Sequence, residues 1–130
     1  MGLLSSYLDK KIEAMIKNNC VFNVIGELGD LAATLQKKLT QAIEASKHNT
    51  SLVVTFALSY SSRREILRAC QKIAEQAARG AIKPSEITEE TFSRNLYTVN
   101  MPDPELLIRT SGEMRISNFL LWQISYAELY

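Results

Sequence analysis

The stretch SLVVTFALSY, at residues 51–60, restricts what this chain can fold into more than any other segment. It is an almost unbroken apolar run with β-branched Val53, Val54 and Thr55 at its centre. A strand written this way has side chains to bury on both faces, which is the habit of a parallel sheet packed between helices. Its neighbours agree. Before it, Leu4, Leu8, Ile12, Met15 and Ile16 recur at helical spacing, and Leu31, Leu35, Leu39 and Ile43 do so again between Asp30 and Lys47. Between these two amphipathic helices, CVFNVIGEL is short, β-branched and closed by Gly26, the signature of another strand.

Beyond the apolar run, Ser62 and Glu65 have the spacing of a capping box ahead of Ile66, Leu67, Cys70 and Ile73, and Gly80 stands where a helix would stop. Thr88 followed by Glu89 and Glu90 predicts a further helix start, running to about Leu96. Pro102 and Pro104 hold the chain extended into a third strand, ELLIRTS. The final segment, SNFLLWQISYAELY, is expected to be a deeply buried helix with Ser117 or Asn118 as its N-cap. Helices alternating with apolar strands predict an α/β fold, a central parallel sheet flanked by helices, in one domain over residues 1–130.

Composition limits the function classes. With 15 basic against 14 acidic residues the chain carries no global field to attract nucleic acid or anionic lipid, so an anionic partner has to be held by a local cluster of donors. Cys20 and Cys70 have no metal-ligand spacing and read as reduced thiols. The sequence has no apolar stretch of membrane-spanning length and no signal-peptide layout at its start, which predicts a cytoplasmic location. His48, the single histidine, lies in a polar loop and lacks the partners of a general base.

The local cluster is RTSGEMRISN. Arg109 ends the third strand, Gly112 allows a tight turn, and Arg115, Ser117 and Asn118 lead into the last segment. Guanidinium forks grip phosphate oxygens in pairs, a hydroxyl adds a neutral donor, and together they suit a diphosphate. The same residues also suit a solvated turn in which the arginines pair with Glu113 and Glu105; the apolar helix expected next favours the first reading. Glu128, an acid expected near the C-terminus of that buried helix, calls for a cation. Mg²⁺ bridged to a diphosphate would serve, as would a salt bridge or a proton.

At these residues the sequence resembles a known family. PDPELLIRTSGEMRISNFLLWQISYAELY is similar to the C-terminal signature of the cis-prenyltransferases, the undecaprenyl diphosphate synthase family, and FALSYSSRREI and VIGEL resemble earlier segments in the same order. The resemblance implies a homodimeric, Mg²⁺-dependent enzyme that adds isopentenyl diphosphate to an allylic diphosphate with a cis double bond at each step. It implies that Arg109, Arg115 and Ser117 hold isopentenyl diphosphate, that Glu128 helps hold Mg²⁺, and that Glu113 is an acid close to that catalytic site. It also implies that Cys20 and Leu52 lie on the wall of a tunnel for the growing chain, although an apolar strand is ordinarily plain core.

Two departures stand out. Ser61 and Ser62 occupy positions where the resemblance implies two glycines. The family's Asp-Gly-Asn-Gly-Arg loop for the allylic diphosphate has no counterpart in the sequence, and neither does the family's arginine-bearing tail. The expectation is therefore part of a larger cis-prenyltransferase domain, inactive alone, with peripheral membrane contact through the product and no nucleic-acid partner. A non-catalytic dimer partner that completes another subunit's site, and an anion-binding domain without chemistry, are the alternatives.

Overall fold

The computed structural model describes residues 2–130; the side chain of Leu4, part of the predicted apolar stripe, lies outside the described residues. The chain forms two compact units, residues 1–59 and 60–130, each an assembly of helices and parallel strands. The α/β class predicted from the sequence is the one observed.

In the first unit, helix α1 (Gly2–Lys17) leads into strand β1 (Val21–Ile25), and helix α2 (Ala33–Ser46) into strand β2 (Val53–Ala57). The strands pair in parallel, from Val21 opposite Val53 to Ile25 opposite Ala57. Leu8 and Ile12 of α1, Phe22 of β1, and Leu39 and Ala42 of α2 form the core, with Phe22 and Phe56 tilted against one another at 5.5 Å between centroids. The helical period in the sequence is thus the contact face of both helices. A buried hydroxyl fastens the layers, because Ser46 Oγ near the end of α2 accepts a 2.9 Å bond from the Phe22 amide.

Both faces of β2 were expected to be covered, and they are not: Val53 and Ala57 are exposed. The cause is geometric, since within this unit Phe22, Val24 and Phe56 turn toward the helices while Val53 and Ala57 turn the other way. Gly26 closes β1 at φ +121°, and a Cβ there would stand 1.9 Å from the Leu58 carbonyl oxygen. No side chain fits that gap, and the backbone conformation itself favours glycine. Gly26→Ala is therefore expected to lower stability by about 2 to 3 kcal/mol, read by chemical denaturation; a loss under about 0.5 kcal/mol would contradict the packing.

The second unit begins with helix α3 (Ser62–Ala78), whose N-cap is Ser61: its hydroxyl accepts from the Arg64 amide at 3.3 Å. The predicted capping box of Ser62 and Glu65 is not formed, because both side chains point into the protein and are buried. Gly80 follows the helix at φ +75°, as its position in the sequence indicates. Helix α4 (Glu89–Ser93) starts from Thr88 as predicted but stops short of Leu96. Phe92 of α4 lies 4.4 Å from the Trp122 ring, whose Nε1 donates to Ser93 Oγ at 3.1 Å.

The last segment is not a helix. Strand β3 (Leu106–Leu107) pairs in parallel with β4 (Glu128–Leu129), and residues 118–126 between them are bends and turns. Ser117, Asn118 and Leu120 have φ of 54°, 60° and 47°, left-handed values from which a right-handed helix cannot start. Nor is the segment deeply buried throughout: Gln123 and Ile124 are buried, whereas Tyr126 is fully exposed.

Candidate functional site

The hydrogen bond from Arg109 N to Tyr130 O, 2.9 Å, extends the β3–β4 ladder by one residue and fixes where the Arg109 side chain leaves the backbone. Ser111 and Gly112, both at φ 68°, then reverse the chain. That turn brings Glu113 and Arg115 back toward Arg109 at an open hollow of about 190 Å³. Arg109, Glu113 and Arg115 supply its polar walls; Leu107, Met114, Ile116 and Leu129, with Tyr130, supply the rest.

Arg115 Nε lies 3.0 Å from Glu113 Oε2, so the solvated pairing that the sequence left open does occur for this residue. The contact engages the Nε edge of an exposed guanidinium, and a solvent-exposed pair of this kind contributes at most about 1 kcal/mol. It does not fill the hollow. Arg109 has no ion pair among the described residues. Two guanidiniums beside apolar walls can take an anion with a short hydrocarbon attached.

Within the second unit, neither Ser117 nor Glu128 lines this hollow. Ser117 is exposed. Glu128 is exposed in β4, its amide donating to the Glu105 carbonyl at 2.9 Å, so burial at a helix terminus is not what asks for a cation there. Among the described residues no three His, Cys, Asp or Glu side chains converge on a possible metal position. Glu113 and Glu128 are single carboxylates, and Mg²⁺ fits them only with diphosphate oxygens and water completing its shell. Cys20 and Leu52 are neighbours, one residue ahead of the Val21 and Val53 pair, with the Val21 amide bonded to the Leu52 carbonyl at 2.8 Å and the Leu52 side chain exposed.

Sequence reasoning missed a buried polar cluster behind α3. Glu65, 1% exposed, accepts hydrogen bonds from the Tyr60 hydroxyl, from the Tyr97 amide at 2.8 Å, and from Gln123 Nε2 at 3.2 and 3.3 Å. Gln123 Nε2 also donates to Thr98 Oγ1 at 3.1 Å. Burial, and then the hydrogen bond it donates to the Glu65 carboxylate, push the Tyr60 phenol well above the usual tyrosine range, so it remains a donor. The signal was present in the sequence as a lone glutamine inside an apolar run, LLWQI.

Against known proteins, the whole chain, residues 1–130, matches the family model described as "Putative undecaprenyl diphosphate synthase". It is 45% identical over 130 residues to an isoprenyl transferase of Geobacter sulfurreducens, covering 100% of this chain and 53% of that protein. It is 48% identical over 128 residues to the farnesyl-diphosphate-specific ditrans,polycis-undecaprenyl-diphosphate synthase of Micrococcus luteus, covering 98% and 51%. The chain thus spans about half the length of the curated relatives it matches. Among solved structures, lavandulyl diphosphate synthase from Lavandula x intermedia, in complex with dimethylallyl diphosphate, superposes with a TM-score of 0.86 at 31% identity, over all of this chain and 60% of its own. A probable undecaprenyl diphosphate synthase from Campylobacter jejuni gives 0.81 at 38%, over 99% and 58%. With every residue matched by the family model and the fold shared with both solved relatives, this chain belongs to the undecaprenyl diphosphate synthase family, the cis-prenyltransferases.

Proposed function

We propose that this chain carries the isopentenyl-diphosphate-binding half of a cis-prenyltransferase that condenses isopentenyl diphosphate with an allylic, farnesyl-type diphosphate into a long-chain polyprenyl diphosphate. The observation behind this reading is the hollow between β3 and the arm at residues 113–117, where the guanidiniums of Arg109 and Arg115, with Glu113 beside them, face a wall of Leu107, Met114, Ile116, Leu129 and Tyr130. A diphosphate head with a five-carbon tail has that same division of polarity. Arg109 and Arg115 bind and orient the head, with Ser117, on the same arm, as a further donor to it. Leu107, Ile116 and Leu129 exclude water from the tail. Glu113 holds Arg115 in place until the ligand's oxygens compete for it. Mg²⁺, held by Glu128 together with ligand oxygens, would neutralise charge on the diphosphate.

The intact protein is read as a cytoplasmic homodimer whose product contacts the membrane, with Cys20 and Leu52 on the path of the growing chain. Residues 1–130 are read as part of one larger domain. Calorimetric titration with isopentenyl diphosphate, with and without Mg²⁺, tests the binding half of the proposal. Saturable binding displaced by inorganic diphosphate is expected, and no binding under either condition would overturn it. This chain incubated with farnesyl diphosphate, labelled isopentenyl diphosphate and Mg²⁺ is expected to yield no extractable long-chain product. Product formation would show that its residues suffice for the allylic substrate as well.

A further inference from the structure

The start of α3 is fastened to the arm that carries Arg115 and Ser117. Ser62 N donates to the Asn118 carbonyl at 3.0 Å, and Arg63 N to Asn118 Oδ1 at 2.9 Å. Asn118 Nδ2 donates in turn to Ser61 Oγ at 2.8 Å, and Leu121 N to Ser62 Oγ at 2.9 Å. Ser62 is fully buried, so its hydroxyl bond is shielded from water. Together with the bond from Arg64 N to Ser61 Oγ, these contacts occupy the leading amides of the helix. The helix end is therefore committed to its own chain, and its part here is mechanical.

What it holds is a strained piece of backbone. Ser117, Asn118 and Leu120 all have positive φ, a conformation that non-glycine residues keep only when surrounding contacts enforce it. Two of the fastening contacts depend on the hydroxyls of Ser61 and Ser62, the positions at which the family resemblance implies glycines. A glycine pair could not make them.

We propose that Ser61, Ser62 and Asn118 are positioning residues, a clasp that keeps the arm bearing Arg115 and Ser117 in the shape that receives a diphosphate. The proposal rests on the reading of that arm as a diphosphate grip. Without the clasp the arm samples relaxed conformations, and the apparent affinity drops in proportion to the fraction of time it spends in the competent one.

The test is isopentenyl diphosphate titration of the parent chain, of the Ser61→Gly/Ser62→Gly double variant and of Ser61→Thr. All are measured at a temperature where circular dichroism shows them equally folded. If the released arm is competent about one-tenth of the time, the glycine variant binds about tenfold more weakly, while Ser61→Thr, which keeps its hydroxyl, stays close to the parent. Hydrogen exchange at the Leu121 amide accelerates in the glycine variant. Parent-like affinity in a folded glycine variant would overturn the clasp and leave the diphosphate reading standing. Failure of the parent to bind isopentenyl diphosphate would overturn both. Should the glycine variant not fold, Asn118→Ala decides in the same titration, with a loss of affinity supporting the clasp and unchanged affinity refuting it.

Discussion

Replacing Glu65 with alanine is expected to destabilise the second unit by about 3 kcal/mol or more, because each buried partner left without its acceptor costs about 1 to 3 kcal/mol. Three donors converge on this one carboxyl group: the Tyr60 hydroxyl, the Tyr97 amide and the Gln123 amide. They come from the residue before the α3 cap, the segment after α4, and the turns before β4. The deletion therefore disconnects three stretches of chain at once. Gln123 Nε2 retains Thr98 Oγ1 as an acceptor, so the heavier losses fall on the Tyr60 hydroxyl and the Tyr97 amide. Glu65→Gln keeps an acceptor oxygen and most of the volume, and should cost about 1 to 2 kcal/mol, the loss of one hydrogen bond and one charge. Chemical denaturation of the three proteins orders them; a loss under about 1 kcal/mol for the alanine variant would mean that water takes over the bonds.

The double substitution Arg109→Ala/Arg115→Ala is expected to weaken isopentenyl diphosphate binding by about a hundredfold or more, at about 1.5 to 3 kcal/mol for each charge-assisted contact and 1.4 kcal/mol per tenfold in affinity. Each single variant should lose at least about tenfold. Arg115 has its carboxylate neighbour to lose and Arg109 has none among the described residues, so Arg109→Ala should show the larger single effect. Arg115→Lys preserves the charge but not the planar fork, and should fall between the parent and the alanine variant. Both arginines are exposed, so thermal stability should barely move. Binding unchanged in the double variant would remove the diphosphate from this hollow.

Local pattern carried the sequence reading where a segment's partners lie close in sequence. The leucine rows of α1 and α2, the β-branched residues of β1, the stop at Gly80 and the cap at Thr88 all appear in the structure at or near their expected places. The final segment failed because its conformation is decided elsewhere. Asn118 has the chemistry of an N-cap but uses it on α3, whose N-cap is Ser61: its side chain accepts from the Arg63 amide, 55 residues earlier. Strand β4 is two residues long and exists only by pairing with β3, a partner that no window of neighbouring residues contains. Glu65 was misread for a related reason: the spacing of a capping box also describes a carboxylate that turns inward when distant donors await it. Arg109, Glu113 and Arg115 were legible as a cluster of charge around a turn. Their meeting at one hollow needed the turn's left-handed geometry, which serine at position 111 does not announce.

Trp122 is the only tryptophan in the chain, and its ring rests on Phe92 within the second unit. Its fluorescence therefore reports on residues 60–130, whereas far-ultraviolet dichroism collects signal from the long helices of both units. Superimposable melting curves from the two spectroscopies would mean the halves lose structure in a single concerted event, and curves that separate would give each half its own midpoint from one unlabelled sample.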